Sequence, residues 1–400
     1  MLYRTLGKSG LKVSEIGFGC GAVGGLMTGE DRDAQLRVIE RALECGITHF
    51  DTAMSYGDGR SETNLGRVLK ETGAEVTLST KVRIGPERPD NLRETTIALA
   101  ERSLERLGRD SVDVIQLHDP VAPDGEWPQF SLTPEDVLGP GGVVEGFKAL
   151  RERGMARFFG FTGLGDPRSL HTLVESGEFH TLQVYYNLLN PTAAYPAPEG
   201  FPALDYGLIL EKAAERGMGA FAIRVLARGS LTESPKGGGG KDPRTLSPGS
   251  DYSRDIERAR KLDWLAEGPI RTLTQAAFQF ALMRPEFSTV LAGCASISEV
   301  EAAAACSGPR NLRGGPGPPA GVVGERFCIK PAETMKPGPF GPVGHPIPRL
   351  FRKGASCNIL LPKSSWPSPI SPGISWSARW LPSPPNSTRG PTPRIVIPGS

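Results

Sequence analysis

Four side chains in the first third of the sequence have the types needed to move a proton at a carbonyl group. They are Asp51, Tyr56, Lys81 and His118. Carbonyl reduction needs an acid to protonate the developing alkoxide, and a phenol with an ordinary pKa of about 10 is a weak acid unless its neighbours tune it. We therefore predict that Tyr56 is the acid/base and that the Lys81–Asp51 pair tunes it. His118 is predicted to orient the carbonyl and donate a hydrogen bond to it.

Three of these residues end strand-like apolar runs, and the fourth lies in a glycine-rich loop. Asp51 ends ITHFD, Lys81 ends VTLSTK, His118 ends VDVIQLH, and AMSYGDGR carries Tyr56. Strands of a parallel sheet that are buried on both faces end in this way, at the open rim of the sheet. If the three strands are neighbours in a barrel, their carboxyl ends bring the side chains together beneath Tyr56.

Taken singly, each residue has an ordinary structural interpretation. A lone Asp51 is typical of a turn or a helix cap, and a lone His118 or Tyr56 is typical of packing. A lysine at a strand end is also typical of Schiff-base enzymes, so Lys81 leaves a lyase or aldolase open. The combination at three successive strand ends favours proton transfer.

The rest of the first 306 residues alternates short apolar runs with helical patterns. Residues 2–16 predict a β-hairpin around GKSG. Eight strands are then predicted, namely EIGFGC, THFDTA, VTLSTKV, VDVIQLHD, ARFFGFTG, TLQVYYNLL, GAFAIRVLA and STVLAGC. The helices predicted between them are DAQLRVIERALECG, SETNLGRVLKETG, NLRETTIALAERSLERLG, VVEGFKALRERG, RSLHTLVESG, LILEKAAERG and TLTQAAFQFALMR. Eight such units in about 300 residues predict a (β/α)8 TIM barrel rather than an open sheet.

Two connections are longer than the others, 119–143 after the fourth strand and 228–268 after the seventh. Long loops in a compact domain usually serve a function or are mobile. The first is predicted to shape a substrate pocket and the second to fold over a cofactor. A disordered surface insertion is an open alternative for the second, which contains GGGG.

The motifs resemble those of the aldo-keto reductase family. YRTLGKSGLKVSEIGFG, FDTAMSYGDGRSETNLGRVLK, STK, LHDP and VLARGSL occur in the family's order, and the resemblance covers residues 1 to about 306. It implies a barrel plugged by the N-terminal hairpin and a catalytic tetrad formed by the four residues above. It also implies a nicotinamide cofactor, which supplies the hydride that no side chain can supply.

The resemblance implies where the cofactor binds. Thr162 and Gln183 match the positions that hold the nicotinamide amide. Ile223 or Arg224 fills a position where the family often stacks an aromatic ring, and the guanidinium of Arg224 can stack there instead. Leu226, Gly229 and Leu231 match the backbone segment that wraps the pyrophosphate. Ser296 and Glu299 match the adenosine end. NADP is the expected cofactor, and the acidic Glu299 leaves NAD open.

Composition changes abruptly after residue 306. Of the 37 prolines, 20 lie in residues 307–400, and Glu325 and Glu333 are the acidic residues there. We expect two parts, a barrel over 1–306 without its usual terminal helices and an irregular Pro/Gly-rich tail over 307–400. The tail is interpreted as an out-of-frame or fused segment, or as a genuine interaction tail.

The remaining features exclude several classes of function. The body before the tail is mildly acidic, which gives no reason to expect nucleic-acid binding. The six cysteines show no metal-binding spacing, and no signal peptide or membrane span is visible, so a cytoplasmic protein is expected. The predicted partner is a small-molecule carbonyl substrate, with the oligomeric state left open. A cofactor-binding regulatory subunit or pseudoenzyme remains the non-enzymatic alternative.

Overall fold

The computed structural model of the chain describes residues 1–21, 25–127, 130–233 and 251–308. The GGGG part of the second long connection lies outside the described residues. So does the segment from residue 309 onward, and with it the prediction of an irregular tail.

The N-terminal hairpin is present and closes one end of the fold. Strands β1 (Tyr3–Thr5) and β2 (Lys12–Ser14) pair antiparallel around a 3-10 turn at Gly7–Ser9. The side chains of Leu6 and Val13 are fully buried in one cluster with Val114 and Phe221. The hairpin therefore packs into the N-terminal end of the barrel, which leaves the carboxyl ends of the strands as the open rim.

Eight parallel strands form the closed barrel that the strand–helix pattern predicts. They are β3 (Ile16–Gly19), β4 (His49–Asp51), β5 (Thr77–Val82), β6 (Val112–Leu117), β7 (Ala156–Thr162), β8 (Thr181–Tyr185), β9 (Gly219–Ile223) and β10 (Phe287–Ala292). They are joined in chain order, and β10 closes against β3. Each predicted strand coincides with one of these. The strands were predictable because a segment of helix length between two short apolar runs is typical of two parallel strands joined by a crossover helix.

Helices surround the barrel and pack their apolar faces on the strands. They are α1 (Arg32–Glu44), α2 (Arg60–Thr72), α3 (Leu92–Leu107), α4 (Pro134–Leu138), α5 (Val143–Glu152), α6 (Pro167–Glu175), α7 (Ile209–Glu215), α8 (Tyr252–Arg260), α9 (Leu273–Leu282) and α10 (Ile297–Ala304). Gly73 and Gly108 cap α2 and α3 in the left-handed conformation that the sequence predicts for C-terminal glycines.

Two helices lie in the long connections, where the sequence pattern predicted none. Helix α4 begins with a capping box between Thr133 and Asp136, and Asp251 caps α8 by accepting the Arg254 N–H at 2.7 Å. Both are at most nine residues long, too short for an apolar period to stand out among glycines and prolines. Their capping residues were the available signal.

No helix in the described part of the chain is long and apolar enough to cross a membrane.

Candidate active site

The centre of the site is an ion pair between β4 and β5. The Lys81 ammonium lies 2.5 Å from Asp51 Oδ2, and it also donates to the Thr52 carbonyl at 2.8 Å. Lys81 is fully buried, and Asp51 is 3% exposed. Burial by itself lowers the pKa of Lys81, but the neighbouring Asp51 and Tyr56 outweigh it, so that the pKa of Lys81 is raised. The lysine is therefore a cation held in a fixed position.

The second carboxylate oxygen of Asp51 is held from two other strands. Asp51 Oδ1 accepts from the Ser79 hydroxyl and from Gln183 Nε2, both at 2.6 Å. Gln183 is on β8, so this bond spans the inside of the barrel. Because both carboxylate oxygens are fixed by hydrogen bonds, the position of the Lys81 charge is fixed as well.

Tyr56 lies directly against this pair. Its hydroxyl is 3.3 Å from Lys81 Nζ, and that nitrogen is 4.9 Å from the centre of the Tyr56 ring. Burial raises the pKa of Tyr56, and the Lys81 charge only partly offsets the effect. Lys81 lowers the pKa of Tyr56, which is the direction that the sequence analysis predicts, but the opposite effect of burial is larger. The phenol is thus protonated at neutral pH and available as an acid.

The loop that carries Tyr56 has an unusual backbone. Gly57, Asp58 and Gly59 all have positive φ, between 54° and 85°. Glycine adopts this conformation at little steric cost, which explains the glycines on both sides of Asp58. The turn is closed by the Ser61 N–H, which donates to the Tyr56 carbonyl at 3.2 Å just as α2 begins.

His118 follows β6 and faces the same phenol. The His118 and Tyr56 rings meet edge to face, with centroids 5.6 Å apart and planes at 86°. Burial places the pKa of His118 well below its usual value, and the charges of Lys81, Arg83 and Arg224 lower it further. The imidazole is therefore neutral. Its Nδ1 lies 3.2 Å from the hydroxyl of Ser55, a contact absent from the sequence-based prediction.

The four residues chosen from the sequence thus meet at one rim. Strands β4, β5 and β6 are neighbours in the barrel. Asp51 is paired with Ser79 and Lys81 with Gln116, so the strands end at the same rim.

Thr162 and Gln183, the residues predicted to hold the nicotinamide amide, are side by side in register on β7 and β8. The Thr162 hydroxyl is buried and has no hydrogen-bond partner within the described residues. A buried, unsatisfied hydroxyl at the rim fits a ligand that supplies amide groups. The two positions are therefore compatible with the predicted nicotinamide.

The segment predicted to wrap the pyrophosphate, 226–231, is strained, and so is Arg224 just before it. Arg224, Ala227 and Arg228 have positive φ values of 57°, 45° and 63°, and Gly229 follows at 97°. Non-glycine residues in this conformation cluster at ligand-binding sites. Leu226 is partly buried and Leu231 fully buried, so Leu231 can contribute to binding only through its backbone.

Ser296 and Glu299 cap helix α10, beyond the end of β10. The Ser296 hydroxyl accepts the Glu299 N–H at 3.3 Å, and Glu299 Oε2 accepts the Ala295 N–H at 2.6 Å. Capping explains both residue types without a ligand. Their contact with adenosine stays a prediction.

Sequence reasoning missed Ser55, Ser79 and Tyr185 in the site. Alternation along a strand was the available signal, because Ser79 precedes Lys81 by two positions and Tyr185 follows Gln183 by two. Ser55 carried no comparable signal, since it lies in a loop.

The comparison with known proteins agrees with this fold. The model of the Aldo/keto reductase family matches residues 15–307. L-galactose dehydrogenase of Arabidopsis thaliana is 29% identical over 307 residues, which cover 74% of this chain and 85% of that protein. A putative voltage-gated potassium channel subunit beta of Schizosaccharomyces pombe is 28% identical over 330 residues, 74% of this chain and 86% of that one.

A solved structure supports the fold. The holo form of an aldo-keto reductase from Bacillus halodurans superposes with a TM-score of 0.56 at 24% identity, over 76% of this chain and 90% of its own. The chain belongs to the aldo/keto reductase family, whose members are generally oxidoreductases.

Proposed function

We propose that the protein reduces an aldehyde, ketone or sugar carbonyl to an alcohol, using NADP or NAD, with Tyr56 as the general acid. The observation that carries this proposal is the short contact between the Tyr56 hydroxyl and a lysine that is fully buried and fixed by Asp51. Among the relatives, the name of L-galactose dehydrogenase indicates action on a sugar, which supports a small polar carbonyl compound as substrate.

The side chains divide the proton chemistry between them. A bound nicotinamide supplies the hydride, which adds to the carbonyl carbon. Tyr56 gives its proton to the carbonyl oxygen, and the adjacent Lys81 ammonium stabilises the phenolate that remains. Neutral His118 donates a hydrogen bond that orients the carbonyl. The phenolate then recovers a proton from solvent, which restores the acid.

The cofactor is proposed to lie across the rim between β7 and β10. Thr162 and Gln183 would hold the amide, and Arg224 would lie beside the ring. The backbone of Leu226, Gly229 and Leu231 would follow the pyrophosphate, with the adenosine end at Ser296 and Glu299. The unsatisfied Thr162 hydroxyl supports the contact with the amide. The strained backbone after β9 supports the contact with the pyrophosphate.

A Schiff-base mechanism at Lys81 is disfavoured. A lysine nucleophile must lose its proton, and such lysines usually have a lowered pKa. Lys81 has a raised pKa and donates to Asp51, Thr52 and Tyr56. Its lone pair is therefore not available.

Replacement of the acid tests the proposal. Tyr56→Phe removes the phenolic proton and leaves the ring, so kcat for carbonyl reduction should fall by a factor of about 10² to 10⁴. The dissociation constant of NADPH, measured by fluorescence titration, should change less than threefold, because Tyr56 is assigned no cofactor contact.

Two outcomes would contradict the assignment. A Phe variant with full activity would mean that Tyr56 is not the acid. A wild-type protein that binds NADPH but reduces no member of a broad carbonyl panel would instead support a non-catalytic, cofactor-binding role.

A further inference from the structure

We infer that the carbonyl substrate carries an anionic group, a carboxylate or a phosphate, that is bound at the rim by Arg224 with help from Arg83. This inference rests on the proposed function, because it concerns the substrate of the same site.

Arg224 is held over the site by its neighbours. Its guanidinium carbon is 5.8 Å from the centre of the Tyr185 ring, and Tyr185 stands two residues beyond Gln183, whose side chain reaches Asp51. The Arg224 carbonyl accepts from Asn187 Nδ2 at 2.9 Å, and its φ is 57°. A strained backbone that is fixed by a side-chain hydrogen bond indicates that the position of this arginine is determined by the fold.

No carboxylate within the described ranges forms an ion pair with Arg224, although its side chain is only partly exposed. The nearby Arg228, in contrast, pairs with Asp255 at 3.4 Å. A half-buried guanidinium without a counter-ion loses hydration without a compensating charge, so an anionic ligand is the expected partner.

The carboxylates at the rim are already used. Asp51 neutralises Lys81, and the buried Asp119 accepts the backbone N–H groups of Ile84 and Gly85 at 2.7 and 3.0 Å. Neither forms an ion pair with Arg224 in the part of the chain that the structure describes.

Arg83 adds a second positive charge close to His118, because the residue before it, Val82, accepts the His118 backbone N–H at 2.9 Å. It follows β5, is exposed, and forms no ion pair with any residue that the structure describes. Both Arg83 and Arg224 oppose protonation of His118, which places their charges near the ring that orients the carbonyl. An anion bound by these arginines would lie near His118, the residue proposed to orient the carbonyl, and we expect short-chain substrates.

The phosphates of the cofactor are the other anions that reach this rim. Arg224 can lie beside the nicotinamide ring and also bind a substrate anion, because a guanidinium stacks through its planar face and donates hydrogen bonds through its edge. The experiment must therefore separate binding of the substrate from binding of the cofactor.

Matched substrates make that separation possible. Succinic semialdehyde and butanal have the same chain length and differ in the carboxylate, and erythrose 4-phosphate and erythrose differ in the phosphate. For at least one pair, the wild-type protein should show a kcat/KM at least tenfold higher for the anion, and the preference should shrink at high salt.

Removal of the guanidinium should abolish the preference. Arg224→Met keeps the aliphatic length, and at saturating NADPH it should raise KM for the anionic substrate at least tenfold more than KM for its neutral partner, because any loss of cofactor contact affects both substrates equally. Arg83→Gln should raise the same KM about threefold, since Arg83 is more exposed. Arg109→Gln, an exposed control between α3 and β6 at the opposite end of the barrel, should change nothing.

Three results would overturn the inference. One is equal use of anionic and neutral substrates by the wild type, and another is an unchanged preference in Arg224→Met. The third is tenfold weaker NADPH binding in that variant together with equal losses on both substrates, which would assign the guanidinium to the cofactor.

If no carbonyl compound is reduced, the proposed function fails. Anion binding at Arg224 can then still be tested without turnover. Calorimetric titration of succinate and inorganic phosphate into the NADPH-loaded protein should then show binding that Arg224→Met removes. No binding of either anion to the wild type would overturn the inference as well.

Discussion

The Lys81–Asp51 pair makes sense as part of a site rather than as a source of stability. Removing two charges from water costs several kcal/mol per ion, and an apolar pair of similar volume often stabilises a protein as well or better. Here the two groups are almost completely buried, and the remaining oxygen of Asp51 takes two more hydrogen bonds. The arrangement holds one positive charge against one phenol, as the proposed proton transfer requires.

The Ser55 hydroxyl is the hydrogen-bond partner of His118 Nδ1, and its direction is linked to the tautomer of the imidazole. A neutral imidazole has one N–H, and the Ser55 hydroxyl lies 3.2 Å from Nδ1. If the serine donates to Nδ1, the proton resides on Nε2, where it can be donated to a carbonyl. The opposite tautomer would leave Nε2 as an acceptor and would not orient the substrate.

Loss of this contact should lower kcat without unfolding the protein. We expect Ser55→Ala to reduce kcat about tenfold, in the range seen when an orienting partner of a histidine is removed. Imidazole ¹⁵N chemical shifts should show a larger fraction of the Nδ1–H tautomer. Ser55→Thr keeps the hydroxyl and should retain most of the activity. Equal losses in both variants, with unchanged ¹⁵N shifts, would refute the role.

At the scale of elements, the loop between β4 and α2 is positioned by a helix that takes no part in the chemistry. Arg106 of α3 lies against Gly59, and its Nε donates to the fully buried Glu62 of α2 at 2.6 Å. Glu62 also accepts from the Thr80 hydroxyl of β5 at 2.5 Å. The Tyr56 loop is therefore connected through Glu62 to the strand that carries Lys81.

Gly59→Ala should disturb this connection. A methyl group on Gly59 would lie 2.5 Å from Arg106 Cδ, and φ there is 85°. We expect a loss of about 2 to 4 kcal/mol in the free energy of unfolding, from the positive φ and from displacement of Arg106. kcat should fall because Tyr56 moves with the loop. Urea denaturation and steady-state kinetics measure the two effects.

Gly73→Ala is the matched control on the other end of α2. Gly73 also has positive φ, 61°, but no atom lies within 4 Å of an added methyl group. Only the backbone cost of about 1 to 2 kcal/mol should remain, with kcat unchanged. A Gly59→Ala variant that behaves like Gly73→Ala in both measurements would show that Arg106 does not hold the loop.

The sequence predicted the eight strands and the longer helices, and it predicted that Asp51, Lys81 and His118 lie together at one rim. The eight strands and the Asp51, Lys81 and His118 positions were accessible because strand ends in a barrel share one rim. Ser55 and Tyr185 were missed because their contacts depend on how a loop folds and on which neighbour a side chain faces. The short helices α4 and α8 were missed because tertiary packing, not a long apolar period, stabilises them.

At the scale of the whole molecule, the closed barrel buries a histidine that is not among the four residues assigned to proton transfer. His49 on β4 is fully buried, stacks on Phe221 with ring centroids 5.1 Å apart, and lies 3.4 Å from the Ser79 hydroxyl. Burial lowers the pKa of His49 to about 4, although the carboxylates of Asp51 and Asp113 oppose the shift and Lys81 adds to it. The barrel therefore folds with a neutral His49.

This burial should make the stability of the barrel depend on pH in a defined window. In the unfolded chain His49 has an ordinary pKa of about 6.5, so between pH 6.5 and 4 the unfolded state binds more protons than the folded state. Its contribution is complete above about pH 6.5 and is lost as the pH falls toward 4. At pH 5 the loss from this group is about 2 kcal/mol.

His49→Gln should flatten the profile, because an amide does not titrate. Urea unfolding at pH 7.5, 6 and 5 should show that the variant is less stable at pH 7.5 but loses about 2 kcal/mol less than the wild type between pH 7.5 and 5. His180, whose pKa is also lowered to about 4 but which is only partly buried, should give a smaller change as His180→Gln. If the wild type and His49→Gln had parallel stability profiles, His49 would not lose its proton on folding. Water would then reach the barrel interior near Asp51 and Lys81, in spite of the packing of His49 on Phe221.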